Sequence, residues 1–194
     1  MMTREQEIAQ YDGFFEEVAK ALNANVKTKH YCKVITLENG IPFNVTIERG
    51  RFNVFGNYPQ ANDGTWFNTS TSGYDLPSRT FALNVTVKRF VTTIKNQFLP
   101  RYEKTYHEIQ ERVKSWNEFN DNIEKRKNEL EKIPGIERFS DKQSARLHVS
   151  ISTNNDDSIY GEIQVNQDSY RINLRSVPDT IAERIFEVLK NAND

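Results

Sequence analysis

The sequence predicts an α+β fold: two pseudo-repeated antiparallel β-meanders with an N-terminal, a long central and a C-terminal helix. The first observation is a duplication, because segments 45–54 and 163–172 place apolar residues at the same offsets around a two-residue turn. The second is that apolar and polar residues alternate in both segments, which is typical of antiparallel strands with one covered face. The third is that apolar residues recur at steps of three and four before, between and after these two segments, which predicts helices.

Composition limits the class of protein. The chain has 194 residues, of which 37% are hydrophobic and 27% charged, and this length suits one large domain or two small ones. The net charge of −1 argues against nucleic-acid binding by bulk charge alone. Cys32 is the single cysteine, which excludes an intramolecular disulfide and fits a reducing compartment. Because the N-terminus is charged and no apolar run has membrane-spanning length, we expect a cytoplasmic protein that does not enter a membrane.

The first unit begins with a helix over about residues 3–23, whose apolar stripe is formed by Ile8, Tyr11, Phe15, Val18 and Leu22. Three strands are predicted at 29–37, 42–48 and 51–56. The turn at Asn39-Gly40 is a strong hairpin signal because both residues tolerate positive φ. A second turn at Arg49-Gly50 completes the meander.

A long polar loop over 59–79 follows, with Trp66, Phe67 and Tyr74 embedded in it. Loops of this length are uncommon in compact domains and tend to be functional or disordered. Apolar and polar residues then alternate over 80–87, which predicts a fourth strand, although the apolar residues of this range also fit the face of a helix.

The chain from 88 to about 133 is predicted to be helical, with a kink or break near Pro100, because proline lacks a hydrogen-bond donor and crowds the preceding turn. A heptad seam follows, formed by Ile109, Val113, Trp116, Asn120, Ile123, Lys127 and Leu130. This seam fits either a helix packed across the sheets or against the first helix, or an arm used for homodimerisation or partner docking. The expected division is 1–99 and 100–194, unless both parts form one compact domain.

The second meander is predicted from strands at 146–153, 159–166 and 169–175, with turns at 154–157 and 167–168. Pro178-Asp179 then opens the last helix, whose apolar side carries Ile181, Ile185, Val188 and Leu189.

The patterns that usually indicate catalysis are missing from the sequence. It has no glycine-rich phosphate loop, no serine elbow, and no second cysteine for a zinc or dithiol site. His107 shares a helix face with Glu103 and Glu111, but no second such row completes a metal site, and a solvated charged stripe is favoured. We therefore expect no catalytic residues, no metal and no cofactor.

Two surfaces are candidates for binding. The polar faces of the meanders carry Arg51, Asn53 and Phe55 in the first copy and Arg171 and Arg175 in the second. Arginines can hold phosphates and an aromatic ring can stack on a base, although an ordinary solvated sheet face has the same composition. The loop offers Trp66 and Phe67 as anchors for a protein partner, unless these rings only pin the loop to the domain.

The run Asn57-Tyr58-Pro59, then Val85-Thr86-Val87, then Phe98-Leu99-Pro100-Arg101-Tyr102, resembles uncharacterised accessory proteins of phages and other mobile elements. In those proteins a Tyr-Pro pair ends a strand and a downstream helix carries Leu-Pro-x-Tyr. The resemblance covers roughly residues 40–115 and implies no activity and no catalytic residues. It implies the setting of a mobile element.

We therefore expect a non-catalytic binding protein that inhibits or modulates a host or defence protein, or a nucleoprotein complex. The alternative is a protein that binds single-stranded nucleic acid on its polar sheet faces. Because the duplication repeats apolar positions but not polar ones, it specifies a scaffold. Recognition is then expected where the copies differ, above all in the long loop of the first copy.

Overall fold

The structure is a computed structural model and describes residues 3–68, 73–74, 76–138, 146–152, 158–166 and 168–191. Its elements follow the predicted order of helix, meander, helix, meander and helix, which confirms the α+β class. The chain divides into two compact units, Met1–Asn117 and Glu118–Asp194. This division lies inside the long helix, and each unit contains one meander.

The N-terminal segment was predicted as one helix and is two, α1 (Arg4–Ala9) and α2 (Asp12–Leu22). Gly13 lowers the helix propensity at the junction. Tyr11 leaves the helical conformation there, and its ring lies edge-on to Phe52 with centroids 4.9 Å apart. Packing against the sheet thus accounts for a break that the periodicity alone does not indicate.

Unit 1 contains a five-stranded antiparallel meander in sequence order: β1 (Ala24–Lys29), β2 (Cys32–Leu37), β3 (Pro42–Glu48), β4 (Arg51–Gly56) and β5 (Ser78–Ala82). The prediction of one strand over 29–37 is wrong at its start. Asn23 ends α2 in the left-handed conformation, and His30, with φ of 53°, turns the chain between β1 and β2. The apolar signal of β1 is short, which is why the sequence did not reveal it.

The strand predicted over 80–87 is also shorter than expected, because β5 ends at Ala82. The next helix, α3 (Val87–Thr93), begins where the hydroxyl of Thr86 accepts a hydrogen bond from the N–H of Arg89 at 3.3 Å. Such a cap satisfies one of the unpaired donors of the first helical turn. The segment is therefore a strand in its first half and the start of a helix at its end.

Aromatic packing on one face of this sheet forms the core of unit 1. Phe52 lies at its centre, with the rings of Tyr11, Phe14, Phe15 and Phe90 at centroid distances of 4.9–6.4 Å. Such pairs stabilise a fold by about 0.5–1.5 kcal/mol each beyond the burial of their area. The helices therefore cover β4 closely in this unit.

The central helix is continuous but changes its hydrogen-bond pattern before Pro100. After α3 comes a π-helical turn (Ile94–Phe98), and α4 (Leu99–Leu130) follows directly. The N–H of Leu99 donates to the carbonyl of Ile94, five residues back. The kink or break predicted near Pro100 takes the form of this π-helical turn. The turn shifts the backbone hydrogen bonds by one residue just before Pro100, which has no N–H to donate.

The heptad seam lies in the cores of the two units. Ile109 and Val113 are buried in unit 1, and Ile123 and Lys127 are buried in unit 2. These side chains are not available to a second helix, which favours the interpretation of α4 as a packed helix over that of a dimerisation arm.

The Tyr-Pro and Leu-Pro-x-Tyr motifs meet in unit 1. The rings of Tyr58 and Tyr102 are 5.3 Å apart, and Tyr102 is fully buried. Its hydroxyl accepts a hydrogen bond from the N–H of Asn57 at 3.2 Å and contacts the carbonyl of Pro42. Gly56 is required there, because a Cβ would lie 2.4 Å from the Tyr58 ring and 2.7 Å from the Tyr102 ring. The motif residues thus join the end of β4 to α4.

Unit 2 contains a four-stranded antiparallel meander: β6 (Ile136–Arg138), β7 (Arg146–Ser152), β8 (Ser158–Val165) and β9 (Tyr170–Arg175). The helix α5 (Asp179–Asn191) follows. The three-residue strand β6 was not predicted. The turn predicted over 154–157 lies outside the described residues, as does Gln167 of the other turn. The core of this unit is small and consists of Ile123, Ile136, Leu147, Val149, Ile163 and Val165.

Candidate protein-binding surface

The duplicated segments have the same register in the two sheets. Val45 pairs with Val54 in the first copy, and Ile163 pairs with Ile172 in the second. One step nearer the turn, Ile47 faces Phe52, and at the equivalent place Val165 faces Tyr170. The aligned positions are therefore structurally equivalent, and any difference between the copies lies in what covers them.

That coverage differs sharply at the second strand of each hairpin. In unit 1, β4 lies between β3 and β5, and both Val54 and Phe52 are fully buried. In unit 2, β9 is the last strand of the sheet, and Ile172 is 59% exposed while Tyr170 is 41% exposed. The second copy consequently presents apolar side chains to solvent at positions that form core in the first.

Arg126 on α4 holds the exposed Tyr170 in place. Its guanidinium lies 4.0 Å from the centre of the Tyr170 ring, and its Nε donates to the Tyr170 hydroxyl at 3.0 Å. Its Nη1 also donates to the carbonyl of Asn166 at 2.7 Å. A cation above an aromatic face contributes about 0.5–1 kcal/mol at an exposed site. These contacts with Arg126 therefore hold the start of β9 in place.

A charged cluster fastens α4 to β6 in the same unit. Lys127, 2% exposed, donates to Glu124 at 2.6 Å, and Arg138 on β6 donates to Glu124 and Glu131 at 2.7 Å each. Burial alone raises the pKa of Glu124, but hydrogen bonds from Lys127 and Arg138 outweigh it and leave the pKa lowered. Lys127 is, with Asn120, one of two polar residues in the heptad seam, and this cluster explains why a lysine is tolerated there.

The helix α5 carries the larger exposed apolar surface. At 100° per residue, its apolar residues fall on one arc of about 160°: Ile181, Ala182, Ile185, Phe186, Val188 and Leu189. Phe186 is 69% exposed, Val188 68% and Leu189 57%. Three residues connect β9 to α5, so the helix begins within about 14 Å of the end of the strand. We call Tyr170, Ile172, Ile185, Phe186, Val188 and Leu189 the unit 2 apolar surface.

The other face of the unit 2 sheet is polar. Across its strands Gln164 faces Arg171, Glu162 faces Asn173, and Tyr160 faces Arg175. A groove of about 270 Å³ on this face is lined by His148, Tyr160, Glu162, Asn173 and Arg175. Arg146 forms an ion pair with Glu162 at 3.5 Å on this face. Within the described part of the chain, Arg171 and Arg175 have no ion-pair partner.

The seven residues predicted to bind lie in three separate places. Arg51, Asn53 and Phe55 lie on the outer face of the unit 1 sheet, where Arg51 pairs across from Glu48 and the other two are half-buried. Arg171 and Arg175 lie on the polar face in unit 2. These two sets of residues therefore belong to different units of the chain.

Trp66 and Phe67, the remaining two, are in the loop of unit 1. Phe67 is half-buried, with Trp116 at 5.9 Å and the Arg112 guanidinium 5.4 Å from its ring. Trp116 in turn donates to Asp63 at 2.9 Å. Phe67 thus pins the loop to α4, which is the alternative that the sequence left open, whereas Trp66 is 49% exposed.

Sequence reasoning missed the unit 2 apolar surface. Ile172 aligns with the core residue Val54, and the periodicity of α5 is that of an ordinary packed helix. One signal was available: the first copy continues to another strand after its duplicated hairpin, while the second continues directly to a helix.

Comparison with known proteins adds no constraint on these surfaces. No family model, no curated protein and no solved structure matches the chain. None of the helices in the described ranges is both long and apolar enough to cross a membrane. Nor does the described part of the chain contain a group of three His, Cys, Asp or Glu residues that could hold a metal ion.

Proposed function

We propose that this chain is a non-catalytic binding protein that docks a protein partner on the unit 2 apolar surface. The exposure of that surface carries the proposal. In a chain with a mean hydropathy of −0.73, six large apolar side chains within 20 residues are each 38–69% exposed. Four of them share the apolar arc of α5, and exposed apolar groups on one face, as opposed to groups scattered singly, mark interaction sites.

The chemistry of this surface suits a protein more than a small ligand. Phe186 and Tyr170 provide aromatic anchors, and Ile172 and Val188 provide aliphatic area around them. Complete burial of one such side chain contributes about 1.5–3 kcal/mol, and a few such anchors dominate most protein interfaces. Two or three of these side chains can therefore dominate the binding free energy of a protein complex.

The resemblance to accessory proteins of mobile elements supports the biological setting. We propose that the chain acts in the cytoplasm of a bacterial host, where it inhibits or modulates a host or defence protein, or a nucleoprotein complex. Such a role needs no reactive group, since a protein that occupies a surface acts by affinity alone.

A pull-down with charge-matched variants tests the proposal. The double variant Phe186→Asp, Val188→Asp changes the net charge by −2, and so does the control Arg184→Asp, at a charged position outside the apolar arc of α5. Tagged protein is incubated with bacterial lysate at low salt, and captured proteins are compared. We expect a partner captured by the wild type and by Arg184→Asp, but not by the double variant. The proposal fails if no partner is captured, or if capture is the same for all three.

Binding of single-stranded nucleic acid is the second candidate. Tyr160, 49% exposed, lies across from Arg175 on the polar face, and a stacking ring beside an arginine suits a nucleotide. The charge balance opposes it, because residues 118–194 contain 11 Lys and Arg against 15 Asp and Glu, a net charge of −4. Fluorescence anisotropy with labelled oligonucleotides at about 50 mM salt decides this, since phosphate contacts are strongest at low salt.

A further inference from the structure

The strand β9 is an open edge. It ends the order β6-β7-β8-β9, so one side pairs with β8 and the other with no strand in the described part of the chain. It is six residues long, whereas the opposite edge strand, β6, has three residues. Sheets usually protect long edges, because unpaired N–H and C=O groups are a template for another strand. Five of the six residues of β9 are exposed, so within the described part of the chain its outer edge is accessible for pairing.

The side chains of β9 define what such a strand would need. Tyr170, Ile172 and Leu174 lie on the face shared with the core, and Arg171 and Arg175 lie on the polar face. Residues directly opposite on neighbouring strands have Cβ atoms about 4.5–5.5 Å apart. An added strand therefore places alternate residues beside apolar side chains and beside two arginines that have no ion-pair partner among the described residues.

We propose that an extended segment of the partner protein adds to the free edge of β9, and that this segment alternates apolar and acidic residues. Its apolar residues cover Ile172, and its carboxylates pair with Arg171 and Arg175. This inference rests on the proposed function and specifies the chemistry of the partner. Main-chain hydrogen bonds supply affinity in this mode of recognition, and the alternate side chains supply specificity.

A second copy of the chain fits this edge less well. When two β9 strands pair antiparallel about Asn173, Arg171 of each faces Arg175 of the other, and like charges directly opposite are destabilising. An acidic strand replaces this repulsion with attraction. In the other symmetric register of the same length, about Ile172, Arg171 faces Asn173 and neither arginine gains a carboxylate. Charge complementarity therefore favours a different, acidic chain as the occupant.

The inference is tested by the binding of an acidic and a basic peptide to the wild type and to a variant in which two arginines are replaced by glutamate. The probe is a labelled, capped peptide of about eight residues that alternates isoleucine and glutamate, and the control peptide alternates isoleucine and lysine. Anisotropy is measured with the full chain and with the double variant Arg171→Glu, Arg175→Glu. The acidic peptide forms two exposed ion pairs where the basic peptide meets two like charges, so we expect the wild type to prefer the acidic peptide by about tenfold and the variant to reverse this preference.

Four outcomes overturn the inference. They are no binding of the acidic peptide, equal binding of both peptides, no reversal in the variant, and a concentration-dependent dimer of the free protein that the variant abolishes. Binding of an oligonucleotide in place of the peptide, lost in the same variant, would assign the polar face to nucleic acid. Circular dichroism confirms that the variant is folded.

Failure of this inference is distinguishable from failure of the proposed function. If the lysate partner is lost with Phe186→Asp, Val188→Asp but kept with Arg171→Glu, Arg175→Glu, then α5 binds the partner and β9 does not. If neither pair of substitutions changes capture, the proposed surface itself is wrong.

Discussion

Replacement of Tyr102 by phenylalanine tests how the two sequence motifs stabilise unit 1. The substitution keeps the ring, which stacks on Phe98 at 5.0 Å, and removes only the hydroxyl. The N–H of Asn57, which donates to that hydroxyl at 3.2 Å, then loses its partner beside a fully buried side chain. An unsatisfied buried polar group costs about 1–3 kcal/mol, so we expect Tyr102→Phe to lower the free energy of unfolding by about 2 kcal/mol.

Urea unfolding followed by tryptophan fluorescence is the assay, because Trp66 and Trp116 both lie in unit 1 and report on it alone. Tyr106→Phe is the matched control, since Tyr106 is half-buried and its hydroxyl has no hydrogen bond to a described residue. We expect that control to change the unfolding free energy by less than about 0.5 kcal/mol. Equal losses in the two variants, or no loss in Tyr102→Phe, would refute the reasoning.

Further predictions concern Tyr102, Gly56 and the charged cluster of Glu124 and Lys127. Burial raises the pKa of the Tyr102 hydroxyl. The contribution of this group to stability is therefore complete below about pH 10 and is lost as the pH rises towards its pKa in the folded state. We expect the free energy of unfolding to fall less steeply with pH above about pH 10 in Tyr102→Phe than in the wild type. Gly56→Ala forces a Cβ into the Tyr58 and Tyr102 rings and should cost about 1–3 kcal/mol by urea unfolding, whereas Gly13→Ala, which meets no atom within 4 Å, should not destabilise. In unit 2, Glu124→Gln leaves the buried Lys127 without its carboxylate and should cost about 1–3 kcal/mol, less than a fully buried pair because Glu124 is 45% exposed. Lys127→Met should cost less than Glu124→Gln when both variants are measured by amide hydrogen exchange in unit 2, since an apolar side chain replaces a buried charge. Because the pKa of Glu124 is lowered, its contribution is present above about pH 4.5 and is lost as the pH falls through the folded-state pKa, a loss that Glu124→Gln should not show.

The duplication was the part of the fold that the sequence predicted best. Alternation of period two and turns rich in glycine, asparagine and aspartate are local signals, and they located the β3–β4 and β8–β9 hairpins in the correct register. The failures have tertiary causes. Tyr11 interrupts the first helix because its ring packs on Phe52, and β6 is held by pairing with β7 and not by its own three residues.

The candidate site was less predictable, because exposure depends on neighbours distant in sequence. Val54 and Ile172 occupy equivalent positions, yet one is fully buried and the other 59% exposed. The difference arises because β5 flanks the first hairpin, whereas no described strand pairs beyond β9 in the second. No local pattern records that difference, and the prediction therefore placed recognition in the loop with Trp66 and Phe67.

Site-specific photocrosslinking tests the central claim most directly, since it reports which surface touches the partner. A photoreactive phenylalanine analogue is placed at Phe186 in one sample and at Trp66, the exposed ring of the loop, in another. Both samples are irradiated in bacterial lysate, and the adducts are separated by mass. We predict a discrete adduct with a partner protein at position 186 and none at position 66. An adduct at 66 alone would contradict the account and return recognition to the loop.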